Sequence, residues 1–300
     1  MLVVFFALIL AIIPGLYNGL AVRHYEIISD KVDGDIRLAL VTDLHSCKYG
    51  EKAKNLIDAL IAEKPDVVLL GGDIFDDRIP EENTEDFLKG IAGKFPIYYV
   101  TGNHECMCNE MSFNAKMDII ESLGIKRLGG DADTIEMGSS FINICGVDDP
   151  EINSRLCVGI GYYDAAGGTE TEGNKADNSQ HTFASQIMRA SEATKNGYYS
   201  VILCHRPELF KTYSEHGFDL ALCGHAHGGQ WRIPGIMNGL IAPNQGLFPK
   251  YAGGFYDFGD MKMIVSRGLA RESTSAPRIY NRPELVIVSI SNNGSNRADA

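Results

Sequence analysis

The stretch DVVLLGGDIFDD, residues 66–77, decides the fold of this 300-residue chain. Its run of valine and leucine is typical of a buried β-strand, and the run stops at two glycines followed by Asp73. The run IRLALVTDLH, residues 36–45, stops in a similar way at Asp43 and His45. Each predicted strand therefore carries polar side chains at its carboxyl end, where open α/β sheets collect their ligands.

Three later apolar runs end in the same residue types. They are PIYYVTGNHE (96–105), which reaches Asn103 and His104, YYSVILCHRPE (198–208), which reaches His205, and DLALCGHAH (219–227), which reaches His225 and His227. Taken singly, each polar residue has a structural explanation as a turn former, a helix cap or a satisfied core histidine. Those explanations fail for the whole set, because turn formers have no reason to be restricted to carboxylate, amide and imidazole. The histidines without this placement are interpreted as structural: His24, His181 and His216.

Helical patterns separate the early strands. They are EKAKNLIDALIAEK (51–64), TEDFLKGIAGKF (84–95) and FNAKMDIIESLGI (113–125). Strands that alternate with helices predict a largely parallel sheet with crossover helices. Such a sheet would bring the polar residues from 43 to 227 to one edge.

Composition restricts the partners. The net charge of −12 argues against nucleic-acid binding, which requires clustered lysine and arginine to neutralise phosphates.

The seven cysteines are odd in number and lack the spacing of a disulfide framework, which favours a reducing compartment. Cys106 and Cys108 follow the third motif; buried inert thiols are the preferred interpretation, and metal binding or oxidation is the alternative.

The first 22 residues contain no charged side chain and no histidine. An uninterrupted apolar stretch of this length predicts a transmembrane anchor, with a signal peptide as the alternative. Arg23, Lys31 and Arg37 follow the stretch and no basic residue precedes it, which favours a catalytic domain on the cytoplasmic face of the cell membrane. Residues 23–35 are then predicted to be a linker.

The chemistry that fits these residues is a hydrolytic site with two divalent metal ions. Such a site needs one carboxylate to bridge the ions, which hold a hydroxide between them as the nucleophile. Asp73 is the expected bridge because the glycines beside it let the backbone approach both ions. Asp43, His45 and one of the two late histidines would complete one ion, and Asn103, His205 and the other histidine would complete the second. Mixed nitrogen and oxygen ligands suit Mn, Fe or Zn.

The blocks D-x-H, G-G-D-x-x-x-D, G-N-H-E, a lone H and G-H-x-H, in this order, resemble the calcineurin-like metallophosphoesterases. The resemblance implies a four-layer α/β/β/α sandwich. It further implies that SFINICGVDD (140–149), KMIVSRG (262–268) and ELVIVSI (284–290) supply a second sheet. It assigns the metal ligands and one catalytic residue as follows: Asp43, His45, Asp73 and His227 on the first metal, Asp73, Asn103, His205 and His225 on the second, and His104 as an acid or a stabiliser of the transition state.

The later segments narrow the resemblance. CHRPELF, GHAHGGQWRIPG, APNQGLFPKY and SRGL followed by RIYNRPEL are similar to the membrane-associated YkuE/YaeI branch, which includes UDP-2,3-diacylglucosamine hydrolases. The domain is then expected to span residues 36–291, with a glycine-rich insertion or lid at 157–182 and a polar tail at 292–300.

Together these features predict a membrane-anchored phosphodiesterase or pyrophosphatase. Its expected substrate is a phosphorylated or nucleotide-linked lipid such as UDP-2,3-diacylglucosamine, cleaved by in-line attack of the hydroxide that bridges the metals. The aromatic and glycine-rich residues 246–258 could line a groove for lipid or form a loop that packs on the core. Arg206, Arg267 and Arg278 could hold further phosphate, and a structural or solvated role is the equal alternative for each. One alternative is a phosphatase or phosphodiesterase of soluble nucleotides or phosphoproteins. A non-catalytic metal-binding scaffold is disfavoured because none of the expected ligands is missing. The sequence does not predict an oligomeric state.

Overall fold

The computed structural model describes residues 13–153, 182–273 and 276–292. The strands in these ranges are β1 (Ala21–Ile28), β2 (Ile36–Val41), β3 (Val67–Gly71), β4 (Ile97–Val100), β5 (Lys126–Arg127), β6 (Asp131–Met137), β7 (Ser140–Gly146), β8 (Tyr199–Leu203), β9 (Leu220–Cys223), β10 (Ile241–Ala242), β11 (Gly246–Leu247), β12 (Gly254–Asp257), β13 (Lys262–Val265) and β14 (Glu284–Ser291). The helices are α1 (Lys54–Ala62), α2 (Glu82–Ile91), α3 (Asn103–Cys106), α4 (Glu110–Ser122), α5 (Phe183–Ser191) and α6 (Phe210–Ser214).

Two mixed six-stranded sheets contain most of these strands. The first has the order β1-β14-β2-β3-β4-β5, in which β2 to β5 are parallel and β14 runs antiparallel to β2. The second has the order β12-β13-β9-β8-β7-β6, in which β13, β9, β8 and β7 are parallel and the two outer strands are antiparallel to their neighbours. β10 and β11 form a separate small hairpin.

The two sheets pack face to face. Alternate residues of a strand point to opposite faces, so Leu38 and Leu40 of β2 join a buried apolar cluster with Val201 and Leu203 of β8. Ala39 of β2 points the other way, into a cluster with residues of α1, α2 and α4. On the outside of the second sheet, residues of β8 and β9 pack against α5 and α6. The arrangement is therefore the four-layer α/β/β/α sandwich expected from the family resemblance.

The assignment of strands to sheets is partly wrong in the sequence prediction. SFINICGVDD and KMIVSRG form β7 and β13 of the second sheet, as expected, but ELVIVSI forms β14, which lies inside the first sheet. β8 and β9 also belong to the second sheet, whereas the alternating pattern predicted one sheet for all ligand-bearing strands. The period of two identifies the two faces of a strand, but not the strand that lies beside it.

The amino-terminal prediction also differs from the structure. Residues 21–22 of the predicted anchor and 23–28 of the predicted linker form β1, which is paired along its length with β14. Within the described residues, no helix has the length and apolar character needed to cross a membrane. The chain leaves a helical turn near Pro14 and Gly15 and then gains the hydrogen bonds of the β1-β14 ladder. Residues 1–12, nearly all of the predicted insertion (157–181 of 157–182) and 293–300 of the tail lie outside the described ranges.

Candidate metal centre

The predicted ligands meet where the carboxyl ends of β2, β3 and β4 face those of β8 and β9. All seven are buried. Most of them lie in the left-handed region of backbone space, which costs a non-glycine residue about 1 to 3 kcal/mol and is concentrated at functional sites. The φ angles are 50° at Asp43, 48° at His45, 52° at Asp73, 67° at His225 and 45° at His227. Sharp turns at the strand ends thus aim these side chains at one point.

The ligand atoms form two groups that share one residue. Asp43, His45, Asp73 and His227 make the first group, and Asp73, His205 and His225 make the second; within each group the atoms lie within 4.8 Å of one another. Oδ2 of Asp73 is 3.1 Å from Nε2 of His205 and 3.5 Å from Nε2 of His45. Asp73 is therefore common to both groups, and its role as the bridging carboxylate stays a prediction.

Asn103 completes the predicted set. It is the first residue of α3 and is buried beside Asp73: the N–H of His104, the next residue, donates to Oδ1 of Asp73 at 2.8 Å. On the other side of Asn103, the backbone of Gly102 passes so close to Asp73 that a side chain at position 102 would overlap the carboxylate. The local backbone explains why a glycine precedes this asparagine.

Buried atoms of the predicted ligands test whether metal ions fit. Nε2 of His45, Oδ1 of Asn103 and Nδ1 of His227 have no hydrogen-bond partner among the described residues. Buried polar atoms without partners are costly and rare, and Nε2 of His45 lies 3.5 Å from the shared carboxylate, which indicates a missing partner there. Imidazole, carboxylate and amide together form a donor set suited to transition-metal ions such as Mn, Fe and Zn. The residues present therefore fit two divalent cations.

Neighbouring groups fix the orientation of two predicted ligands. Nδ1 of His45 is 2.9 Å from Oδ2 of Asp76, and Nδ1 of His205 is 2.9 Å from the carbonyl oxygen of Gly71. Since these partners are acceptors, each Nδ1 is the donor and each Nε2 is the atom left to face the cluster. Although burial alone would lower both pKa values, the hydrogen bond to Asp76 raises the pKa of His45, and the charge of Asp73 raises that of His205 well above its ordinary value, so each Nε2 gives up a proton when a metal ion binds.

The electrostatic environment favours ligand forms of three residues. Burial, together with the charge of His205, lowers the pKa of His225 to about 3. Burial and the charge of His45 hold the pKa of His227 well below its ordinary value. Burial by itself would raise the pKa of Asp73, but the neighbouring His205 outweighs it and lowers that pKa well below the usual range. Neutral imidazole and ionised carboxylate are the forms that bind metals.

His104 lies beside these two groups and forms a third close group with His45 and Asp76, in which the ligand atoms also lie within 4.8 Å of one another. Its ring is 4.4 Å from that of His45, and its Nδ1 is 2.7 Å from Oδ1 of Asp77. It keeps 26% of its side chain exposed, while the predicted ligands are buried. Because Nδ1 donates to Asp77, Nε2 is the atom available to a bound substrate. The role of His104 on the substrate side stays the prediction that the resemblance makes.

Sequence reasoning missed several residues that support the site. Asp76 and Asp77 orient His45 and His104, although neither aspartate has a role in the sequence prediction. Glu105 accepts hydrogen bonds from four backbone N–H groups, two of which flank the centre at Asp73 and Gly102. Asn244, whose Oδ1 is 2.8 Å from Nε2 of His225, had no signal in the sequence beyond its place in a family-like segment.

Gly228, which follows His227, is required by the local geometry of the turn. Gly228 has a φ of 62°, and a side chain there would overlap Asn281. Nδ2 of Asn281 donates to the carbonyl oxygen of His227 at 2.7 Å. The absence of a side chain at position 228 therefore lets Asn281 hold the turn that carries both late histidines.

The arginines and cysteines near the predicted site differ in their contacts. Arg206 donates to both carboxylate oxygens of Asp149 at 2.6 and 2.9 Å, so its proposed role in holding phosphate is not favoured by the geometry. Arg278 is buried, and its Nε and Nη2 atoms have no hydrogen-bond partner in the described part of the chain. The thiols of Cys106 and Cys108 donate to backbone carbonyls and belong to neither ligand group.

The model of the calcineurin-like phosphoesterase family matches residues 36–229, more than half of the chain. The chain belongs to the calcineurin-like phosphoesterase family. Among curated relatives, this phosphoesterase is 27% identical over 227 residues to an uncharacterized metallophosphoesterase of Helicobacter pylori, with 72% of this chain and 52% of that protein covered. It is 24% identical to phosphodiesterase YaeI of Escherichia coli, with 92% of this chain and 89% of that protein covered. It is 23% identical to the uncharacterized metallophosphoesterase YkuE of Bacillus subtilis, with 85% of this chain and 78% of that protein covered.

The phosphoesterase spans about half the length of the Helicobacter pylori relatives it matches. Among solved structures, it resembles GAP50, described as the anchor in the inner membrane complex of Plasmodium. The TM-score is 0.52 and the identity 11%, with 87% of this chain and 83% of that chain covered. At this identity the likeness concerns the fold alone.

Proposed function

We propose that this phosphoesterase hydrolyses a phosphodiester or pyrophosphate bond with the help of two divalent metal ions. The observation that carries the proposal is the pair of buried ligand groups joined by Asp73. Two ions in such a site supply Lewis acidity toward the phosphoryl oxygens and activate the attacking water. Family membership and the unpaired atoms of His45, Asn103 and His227 support the same chemistry.

The remaining chemistry falls to side chains outside the ligand groups. His104, oriented by Asp77, presents Nε2 where it can stabilise charge on the phosphoryl group or protonate the leaving oxygen. The unpaired guanidinium atoms of Arg278 offer hydrogen bonds to a phosphate oxygen, and its charge acts on His227 of the first ligand group. The chain thus supplies both an acid and an anion-binding group beside the metal centre.

For the substrate, we propose a phosphodiester or pyrophosphate linked to a lipid or a nucleotide, of which UDP-2,3-diacylglucosamine is one example. The relative YaeI is named a phosphodiesterase, which favours diesters over monoesters. The segment 240–248 places exposed Leu247 and Phe248 close in sequence to Asn244, which contacts His225. Exposed apolar side chains on the segment that contacts His225 would favour a substrate with an acyl chain.

We further propose that the protein works at the cell membrane with its catalytic domain on the cytoplasmic face. The apolar character of residues 1–12 and the basic residues that follow support this location. Membrane fractionation of the full chain, compared with a chain that lacks residues 2–12, tests it. Recovery of both forms in the soluble fraction would reject the membrane location.

The activity is tested by assaying the manganese-loaded full chain against UDP-2,3-diacylglucosamine, a phosphatidyl diester and a water-soluble diester. We expect hydrolysis that Asp73→Asn lowers more than about a hundredfold, together with a loss of bound metal. Asp58→Asn, an exposed carboxylate on α1, is the matched control and should retain both. Failure of all three substrates with metal present would reject hydrolysis, whereas a strong preference for the soluble diester would favour the alternative of soluble nucleotide or phosphoprotein substrates.

A further inference from the structure

A cavity of about 470 Å³ lies against the loop that follows the last histidine turn. Three arginines from separate parts of the chain line it: Arg23 of β1, Arg232 of the loop and Arg267, which follows β13. None of the lining residues belongs to the predicted metal ligands. Three guanidinium groups therefore lie together at a cavity that is separate from the metal centre.

The charges around this cavity do not balance. The buried carboxylate of Glu284 faces two of the arginines, with Oε2 at 3.4 Å from Nε of Arg267 and 3.8 Å from Nε of Arg23. Arg232 instead donates to neutral oxygens, the carbonyl of Gly228 and the amide of Asn238. Arg232 thus has no carboxylate partner among the described residues, and its uncompensated charge attracts an anion.

Arg232 and Arg267 are also held close together. Nη1 of Arg232 and Nε of Arg267 lie 3.5 and 3.7 Å from the point that a Cβ atom would occupy at Gly253. Burial and the charge of Arg267 lower the pKa of Arg232 to about 10. Partly buried like charges repel one another, and a bound anion between them removes that cost. Gly253 leaves the space that allows both side chains to face the cavity.

The wall beside the arginines is apolar and exposed. Ile233 and Ile236 line the cavity with 47% and 83% of their surface exposed. Tyr280 lines another side, and its N–H donates to the carbonyl of Gly15 at 2.7 Å, so the amino-terminal residues pass next to the same cavity. Exposed isoleucines beside converging cations are suited to a ligand that combines an anionic group with an apolar one.

We propose that this cavity is a second binding site, separate from the metal centre, for the phosphate group of an amphiphilic anion. Arg232 and Arg267 hold the phosphate oxygens from two sides, since a guanidinium group presents paired donors that match phosphate. Arg23 adds a third positive charge at the rim, and Ile233 and Ile236 contact the apolar portion. The shared chemistry is phosphate recognition, for which a phospholipid headgroup and free phosphate are the two possible sources.

The test measures binding by calorimetry to the metal-loaded full chain, with inorganic phosphate and with monomeric dihexanoyl phosphatidic acid as probes. The variants are Arg232→Gln and Arg267→Gln, and Lys54→Gln on the exposed face of α1 is the control for the loss of one positive charge. Because all four proteins contain the same metal centre, phosphate bound there is common to them. We expect at least about tenfold weaker binding of phosphatidic acid in both arginine variants and no change in the control.

The outcomes distinguish a lipid headgroup from free phosphate, and they show whether the arginines bind an anion at all. Tighter binding of phosphatidic acid than of inorganic phosphate would support a lipid headgroup, and equal binding would support free phosphate. Equal affinity and stoichiometry in the wild type and both arginine variants would overturn the proposal. Arg232→Gln removes a repelled charge, so its melting temperature without anion should equal or exceed that of the wild type. Binding is measured apart from hydrolysis, so an inactive Asp73→Asn protein that binds phosphatidic acid as tightly as the wild type would support this site.

Discussion

Replacing Glu105 by glutamine should weaken both the fold and the metal centre. Oε1 of Glu105 accepts from the N–H groups of Ile74 and Phe75 at 2.8 and 3.0 Å, and Oε2 accepts from those of Asp73 and Gly102 at 2.9 and 2.7 Å. The amide of glutamine must place an NH₂ group at one of these two positions. Whichever way it turns, two buried N–H groups lose their acceptor and face another donor.

The magnitude follows from those two lost bonds. A buried donor without a partner costs about 1 to 3 kcal/mol, so the variant should lose about 2 to 6 kcal/mol of stability. For a chain of this size each kcal/mol lowers the melting temperature by roughly 2 to 4 °C, so we expect a decrease of at least about 4 °C. Because the N–H of Asp73 is one of the four donors, the shared carboxylate should shift and metal affinity should fall about ten- to a hundredfold.

The assay combines thermal unfolding, followed by circular dichroism, with metal content measured by mass spectrometry after dialysis. Glu121→Gln, at an exposed position of α4, is the matched control and should behave as the wild type. A Glu105→Gln protein that melts within about 1 °C of the wild type and retains its metal would refute the reasoning.

Three further predictions concern the centre and the turns around it. Asp77→Ala should lower kcat about ten- to a hundredfold on a soluble diester while metal content stays constant. His104 then loses its hydrogen-bond acceptor and keeps only Asp76, 3.9 Å away, but no predicted ligand is removed. A parallel loss of metal would instead indicate a ligand role. Gly228→Ala should reduce the amount of bound metal. The control is Gly138→Ala, which has the same φ of 62° but open space around it; it should lower the stability by about 1 to 2 kcal/mol and leave metal content unchanged. Equal metal contents in the two variants would show that the turn does not depend on the absence of a side chain at position 228. Chelation of the metals should lower the melting temperature of the wild type because buried donor atoms lose their partners, and addition of Mn should restore it.

Much of the candidate site could be predicted because its residues stand at recognisable strand ends. Asp43, Asp73 and Asn103 each follow an apolar run that forms a strand of the first sheet. The family resemblance divided the candidate ligands into two sets that share Asp73, and the carboxylates and histidines of the structure form two groups that share the same residue. Glu105 was visible within G-N-H-E, but nothing in the motif indicates that its carboxylate holds the backbone of a segment about thirty residues earlier. Asn244 contacts His225 from a loop whose path depends on the tertiary fold.

The sequence by itself determined the family and the strand that precedes each candidate ligand, and it predicted the chemistry of the site. Side-chain identity and the period of apolar residues are local properties, and they can be recognised without knowledge of neighbours. Only the tertiary structure decided that β14 lies in the first sheet and β9 in the second, that β1 begins at Ala21, and that Arg23, Arg232 and Arg267 share one cavity. These features are contacts between distant segments, and the packing of whole layers selects them from many arrangements that satisfy the same local pattern.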